Sequence, residues 1–349
     1  MNAEQLKMAN QVAEIMKRTG GKGRYVNMTG MDAATASGLA FIIGELEKQD
    51  PVLAEPLTTV DWPRDIVAET GGGFVDYTST YALNYGISEP GEEGILYGPA
   101  TAIPSMQADL AREQFPVFTW ANNMRVSMID QEKLQRIGRD LPSMLEDGIR
   151  LNSQKTLEKN VYQGVSGRTY GILNNPEVVQ EMAATNEAGS STDWKDKTPM
   201  EILHDINQGL TECWAASEYE TTKGMPDSIL IPPGAWTYLN TQIVSDAGNI
   251  SILTYLERNN IAASLGKSLS ILPSRYCIDA GISGTGRMFF YVNKKSNLYF
   301  NLTVPLQRLL SQPSVEHLAY ITSFVMQFGS PIFRYFQPTR YIDGIWTGV

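Results

Sequence analysis

The chain predicts an α+β fold built from unusually long elements, and three features carry that prediction. A helical run extends from Asp130 towards Tyr170. Several stretches of about ten residues alternate apolar and polar side chains as half-buried strands do. Between 198 and 285, helical patterns interleave with short apolar runs, which reads as a compact α+β lobe. With 349 residues, 42% hydrophobic and 19% charged, the chain can fill one large or two ordinary domains.

Taken in order, residues 2–18 place Leu6, Val12, Ile15 and Met16 at helical spacing, and Asp32 can cap a second helix to about Lys48. Pro51 and Pro56 end it. Residues 1–57 hold too little apolar material for a core, so they are expected to form an arm lying on the rest of the chain or on a neighbour.

Val75, Tyr77, Tyr81, Leu83 and Tyr85 then occupy odd positions, and Phe118, Trp120, Met124, Val126 and Met128 occupy even ones. Each run is about twice the usual strand length. The two are expected to form a ribbon, with the Gly-, Pro- and acid-rich stretch 86–114 as its extended tip. A two-stranded ribbon is not stable alone in water, so it needs a surface, expected to belong to another subunit.

In the helical run, Leu134, Ile137, Leu141, Leu145, Ile149, Leu157 and Val161 fall in one line, interrupted by Ser153. Pro142 is tolerated only in a first turn, so the run splits. A short helix is capped by Asp130 and stopped by Gly138; a longer one starts at Asp140 and reaches about Gln163, a spine of roughly 35 Å. It leaves through the glycine-punctuated segment Tyr162 to Asn175.

The lobe opens on Thr198-Pro199-Met200-Glu201, a capping box with proline at the first helical position. The helix continues through Ile202, Ile206, Leu210 and Cys213 to Ser217. Ser228 to Ile231 is a buried strand, followed by helices near Trp236 to Leu239 and over Ile252 to Asn259. Met288 to Val292 and Leu298 to Val304 flank the polar turn Asn293 to Asn297, which predicts a hairpin. Leu318, Tyr320, Phe324, Met326 and Phe328 form a third long alternation, and aromatic-rich strands close the chain.

The chemistry of the chain is mostly negative. A net charge of −10 without a basic block does not suit tight binding to phosphates, so any contact with a genome is weak or by enclosure. No apolar run is long enough to span a membrane, and the first residues carry no secretory pattern. Cys213 and Cys277 are expected to be buried free thiols, and His204 and His317 to be structural. Gly164-Val-Ser-Gly167 and Gly281-Ile-Ser-Gly284 lack the spacing of a nucleophile elbow. Gly71 to Gly73 and Gly281 to Gly286 match no phosphate loop and read as turns. Asp61 and Asp65 around Trp62-Pro63-Arg64 invite a carboxylate-pair hydrolase, against the plainer reading of a charged loop bracing the base of the ribbon. No catalytic, cofactor-binding or metal-binding residue is expected.

The order of arm, long ribbon, spine helix, glycine exit, α+β lobe and returning long strands resembles the major capsid proteins of tailed bacteriophages, the Hong Kong 97-type fold. The most specific echo is Gln163-Gly-Val-Ser-Gly-Arg-Thr-Tyr-Gly-Ile-Leu-Asn174, similar to the turn by which that family leaves its spine. Val117 to Met128, Asp130 to Leu134 and Thr58 to Asp65 also resemble family segments. The resemblance implies an arm over 1–57, an extended loop with flanking strands over 58–126, a peripheral domain over 127–197 that the chain re-enters over 297–349, and an axial domain over 198–296. It implies hexamers and pentamers closing into an icosahedral shell around double-stranded DNA, with portal and scaffolding proteins and a decoration protein as partners, in a virion assembled in the host cytoplasm. The same fold in an encapsulin-type nanocompartment is the alternative. Some relatives weld subunits through a lysine in the extended loop; Leu57 to Arg125 contains no lysine, so no such cross-link is expected.

Overall fold

The computed structural model describes residues 59–87, 106–136, 141–244, 250–314 and 318–348. The expected arm (1–57), most of the expected ribbon tip, the helix stop at Gly138 and His317 lie outside the described residues. In chain order, α1 (Trp62–Asp65) and β1 (Ala68–Thr70) lead to β2 (Tyr77–Ile87), β3 (Met106–Pro116) and β4 (Phe118–Ser127). Then come α2 (Met128–Arg136), α3 (Leu141–Gln163) and β5 (Val179–Met182). The lobe holds α4 (Pro199–Ala216), α5 (Thr221–Gly224), β6 (Ser228–Ile231), α6 (Pro233–Thr241), α7 (Ile252–Arg258), α8 (Ile261–Ser264) and β7 (Ser270–Pro273). The chain ends with β8 (Arg287–Tyr291), β9 (Leu298–Leu302), β10 (Val304–Arg308), β11 (Gln312–Ser314), β12 (Ala319–Phe328), β13 (Pro331–Phe333) and β14 (Arg340–Asp343).

The five-stranded sheet β5-β14-β8-β6-β7 is a wall shared by two cores. Side chains alternate across a strand. Met288 and Phe290 of β8, Ile229 and Ile231 of β6, and Ile342 of β14 therefore face the core built with α4, α6 and α7. Phe289 and Tyr291, Leu230 and Tyr341 face the other core, which receives Leu157, Val161 and Tyr162 from α3. Both faces are covered, so β6 and β8 are buried at every position. Thr198 and Glu201 make the capping box at the start of α4, as the sequence predicts.

A four-stranded sheet places β12 at its centre, with β4 along one side and β10 and β11 along the other. Its register with β4 runs from Ala319↔Ser127 to Phe328↔Phe118. Met124, Val126 and Phe324 pack against Ile149 of the spine. A third sheet, β1-β9-β13, has β9 in the middle.

The spine α3 is a 23-residue helix, and its apolar line is buried from Ile149 onwards, while Leu145 nearer the start is exposed. Ser153, the interruption, is buried and satisfies its hydroxyl on the Arg150 carbonyl at 2.7 Å.

Three expectations are corrected. The partner of the first ribbon strand is not 118–128 but β3, most of which lies in the stretch read as the tip; the register runs from Tyr77↔Pro116 to Ile87↔Met106. β4 pairs with β12 instead, because its apolar face can be buried against the spine there and not on an isolated ribbon. The turn 293–297 is no hairpin: β8 and β9 belong to different sheets, each finding neighbours on both sides elsewhere. Asp130 is not a cap. β4 runs directly into α2, with Met128 N–H donating to the Leu318 carbonyl at 3.0 Å, and Asp130 falls in the first turn, where its charge favours the helix dipole.

Candidate functional site

The feature with most to do is the ribbon. Its strands pair over eleven residues and, among the described residues, belong to no larger sheet. Cross-strand partners share a face, so the register collects Tyr77, Tyr81, Leu83, Tyr85, Leu110 and Met106 on one side. These six are exposed, from 51% for Leu83 to 71% for Met106. Ser79, Arg112 and Gln114 share this face, with Arg112 donating to the Ser79 hydroxyl at 3.0 and 3.1 Å, so it is a mainly aromatic and aliphatic uncovered face with one polar patch, which marks an interaction surface.

Among the described residues, the hydrogen bonds that hold the ribbon to the body lie at its root. Gln327, buried on β12, accepts the Val75 N–H at 3.1 Å and donates to the Thr119 hydroxyl at 2.9 Å. Val117 N–H donates to the Asp76 carbonyl at 3.0 Å. Farther out, a groove of about 860 Å³ opens between Tyr81, Leu83 and Arg112 on the ribbon and Tyr299, Phe333 and Tyr335 on the body. A second cleft at the root brings Glu113 towards Glu177, and burial together with that second carboxylate pushes Glu113 above the usual carboxylate range.

The spine's exit is folded back on its own end. The N–H groups of Ile172 and Leu173 donate to the carbonyls of Val161 and Tyr162, at 2.9 and 3.2 Å, and the Asn174 amide donates to Gln163 at 2.8 Å. The carbonyls a helix end normally leaves unpaired are thus satisfied by the chain that follows. Two glycines permit this approach. Gly164 has φ +71°, and a Cβ there would lie 2.3 Å from the Thr169 carbonyl oxygen. A Cβ on Gly171 would lie 2.3 Å from the Tyr162 carbonyl.

The candidate chemical residues do not converge. Asp65 is fully buried; it accepts from Arg64 Nε at 2.6 Å and from the Tyr162 hydroxyl, and its own carbonyl accepts from Tyr291 at 2.7 Å. Burial and that carboxylate hold the Tyr162 phenol well above its ordinary range. The segment around Asp61 and Asp65 therefore braces the end of the spine and not the base of the ribbon. Asp61 lies at the edge of the same turn, 3.9 Å from Arg64.

His204 is exposed on α4. Cys213 and Cys277 are free, buried and in different cores. Burial pushes the Cys213 thiol up to about 12 and Cys277 higher still. Gly71 to Gly73 make the turn between β1 and β2 with no helix behind it to bind an anion. The Gly281 to Gly286 loop is stapled by a carboxylate, Asp343, which accepts the Ile282 N–H at 2.9 Å and would repel a phosphate. Asp343 is itself held by Arg287 in a bidentate pair at 2.8 and 2.9 Å. Among the described residues no group of three or more His, Cys, Asp or Glu could hold a metal ion, and no helix is long and apolar enough to cross a membrane.

The sequence reading missed the ribbon's return strand and its anchor, Gln327. A signal for the strand exists: Met106, Ala108 and Leu110 alternate in the phase that sets Leu110 opposite Leu83.

Fold and ribbon together define a shell-building subunit of the Hong Kong 97 type. The chain belongs to the major capsid protein family, whose model matches residues 91–345. It is similar to the capsid of Myoviridae phage XM1, with a TM-score of 0.69 and 16% identity, covering 86% of this chain and 98% of that one. The capsid of an empty GTA particle gives a TM-score of 0.55 at 12% identity, over 88% of this chain and 99% of that one. A virus-like particle from Pyrococcus furiosus gives 0.50 at 12% identity, over 80% and 91%. No curated protein matches by sequence.

Proposed function

We propose that the chain is the subunit of an icosahedral shell, assembling as hexamers and pentamers around the double-stranded DNA of a tailed phage. The observation that carries this is the ribbon: eleven paired residues, one mainly apolar face and, among the described residues, hydrogen bonds to the body at the root. A limb of this kind becomes stable by lying across a neighbour, and repeating the contact around a ring gives a closed symmetric assembly. The groove beside Tyr299 and Tyr335 offers room for a neighbour's side chains at the same place.

In this reading 58–126 is the extended loop with its flanking strands, 127–197 and 297–349 build the peripheral domain, and 198–296 is the axial domain, whose sheet is completed by β5 and β14. The particle is the virion capsid, assembled in the host cytoplasm with portal and scaffolding proteins, and with a decoration protein on its surface. It holds together without covalent cross-links, since Leu57 to Arg125 offers no lysine.

Sedimentation of the expressed chain tests the assembly, with megadalton particles expected. Electron microscopy and nuclease-protected DNA in particles from infected cells test the contents. The similarity to a Pyrococcus furiosus virus-like particle favours a second reading, an encapsulin-type compartment, though its TM-score is lower than that of the phage capsid. Tailless shells carrying protein and no DNA would establish that alternative; a chain that stays monomeric at high concentration would exclude both.

A further inference from the structure

The root of the ribbon is built as a joint, and two carboxylates sit in it without a counter-charge. Gly71, Gly72 and Gly73 lead into the ribbon at φ +126°, +104° and +70°, and a Cβ on any of them would meet nothing within 4 Å. Three successive glycines at positive φ, held by no packing contact, can absorb a change of chain direction. On the outgoing side Val117 alone separates β3 from β4. The root cleft, of about 280 Å³, is lined by Glu113 and Phe115 of the ribbon and by Arg168, Tyr170, Glu177 and Ser330 of the body.

The charged and titratable groups around Glu113 are Glu177, Arg168 and Tyr170 in this cleft, and Arg112 and Arg334 in the groove farther out. Arg112 is engaged with the Ser79 hydroxyl, and Arg334 lies over the ring of Tyr299. Among the described residues neither Glu113 nor Glu177 forms an ion pair. Two hydroxyls at the root also lack hydrogen-bond partners among the described residues. One is that of Ser330, which is 5% exposed; the other is the buried hydroxyl of Thr78, on the ribbon face that carries Phe115 and Glu113. Buried polar groups are as a rule paired, so this stance of the ribbon leaves contacts unmade.

We propose that the ribbon root is a pH-sensitive hinge: with Glu113 and Glu177 both ionised the ribbon stands off the body, and a proton shared between them draws it down. In the closed stance the protonated carboxyl donates to the ionised one, and the orphan hydroxyls come within reach of partners. Burial and the Glu177 charge let Glu113 bind its proton at a higher pH than a free glutamate does. The preference for the closed stance is therefore complete below the ordinary glutamate range and is lost as pH rises through the raised value. The hinge does not rest on the container reading; in a shell it would set how readily the ribbon reaches a neighbour.

The test is the distance between spin labels on the ribbon and the body, introduced by Tyr85→Cys and Met200→Cys at two exposed positions. Cys213 and Cys277 are buried and stay unlabelled. Electron paramagnetic resonance on the unassembled full-length chain reads the distance from about pH 8 to about pH 4, a range that spans carboxylate titration. The labelled parent is expected to show a distance that shifts with pH. Glu113→Gln is expected to lose the shift and hold the acid distance throughout, Glu177→Gln to lower the midpoint, and Glu132→Gln, on α2, to leave it unchanged. Both root glutamates are exposed, so the variants should keep the parent's circular dichroism. A pH-independent distance in the labelled parent, or an undiminished shift in Glu113→Gln, would overturn the proposal. A chain that shows the hinge yet never forms shells would overturn the container reading and leave the hinge standing.

Discussion

Replacing Leu83 and Leu110 together by serine removes two apolar side chains that face each other across the ribbon. In the single chain they are 51% and 63% exposed. Complete burial of a leucine contributes about 1.5–3 kcal/mol, so covering what is still exposed contributes roughly 1–2 kcal/mol each. L83S/L110S should therefore cost the inter-subunit contact roughly 2–4 kcal/mol per ribbon. At 1.4 kcal/mol per factor of ten, that raises the threshold concentration for shell formation roughly a hundredfold. Light scattering against concentration reads the threshold, and sedimentation reads the product. The urea midpoint of the unassembled chain should barely move, since both side chains are already half in water. A threshold within threefold of the parent, with the ribbon still paired, would refute the assignment of this face to a neighbour.

Further consequences concern the body. Arg287→Met strands Asp343, which is 0% exposed, and should destabilise the subunit by about 3–5 kcal/mol in urea titration. Gly171→Ala and Gly164→Ala each force a Cβ to 2.3 Å from backbone, so soluble expression should collapse; parent-like yields would show that the exit can open cheaply. Thr198→Ala removes the cap of α4 and should cost about 1 kcal/mol, read as a lowered Tm. Cys213 binds its proton more tightly folded than unfolded, since burial raises its pKa from 9.0 to about 12. Its contribution is complete below pH 9 and is lost as pH rises towards 12. The alkaline limb of the stability curve should accordingly be shallower in Cys213→Ala.

The elements that could be read from residues alone were those whose signals are local. Thr198 to Glu201 announces α4 because a capping box satisfies its own donors, and Ser228 to Ile231 is a strand because three apolar residues in a row, Ile229 to Ile231, between polar turns have few alternatives. Pairing is not local, and there the reading failed. β3, Met-Gln-Ala-Asp-Leu-Ala-Arg-Glu-Gln-Phe-Pro, has the composition of a helix or a loop and is a strand because β2 lies beside it. β4 has the clearer alternation, yet its partner is β12, about two hundred residues later. β8 and β9 flank an acceptable hairpin turn, but Arg-Met-Phe-Phe-Tyr and Leu-Tyr-Phe-Asn-Leu are buried throughout and do not alternate, the mark of strands covered on both faces. Asp65 was legible as a charge and not as a brace, because nothing in its neighbours reveals that Tyr162, 97 positions away, donates to it.

One junction sets how the subunit responds to load. A single residue, Val117, separates the outgoing limb from a strand hydrogen-bonded along its whole length to β12 and packed on Ile149. So short a joint leaves little slack. If an adjoining copy pulled on the ribbon, the load would reach that strand and the spine it packs on directly, as through a lever rooted in the body and not a tether.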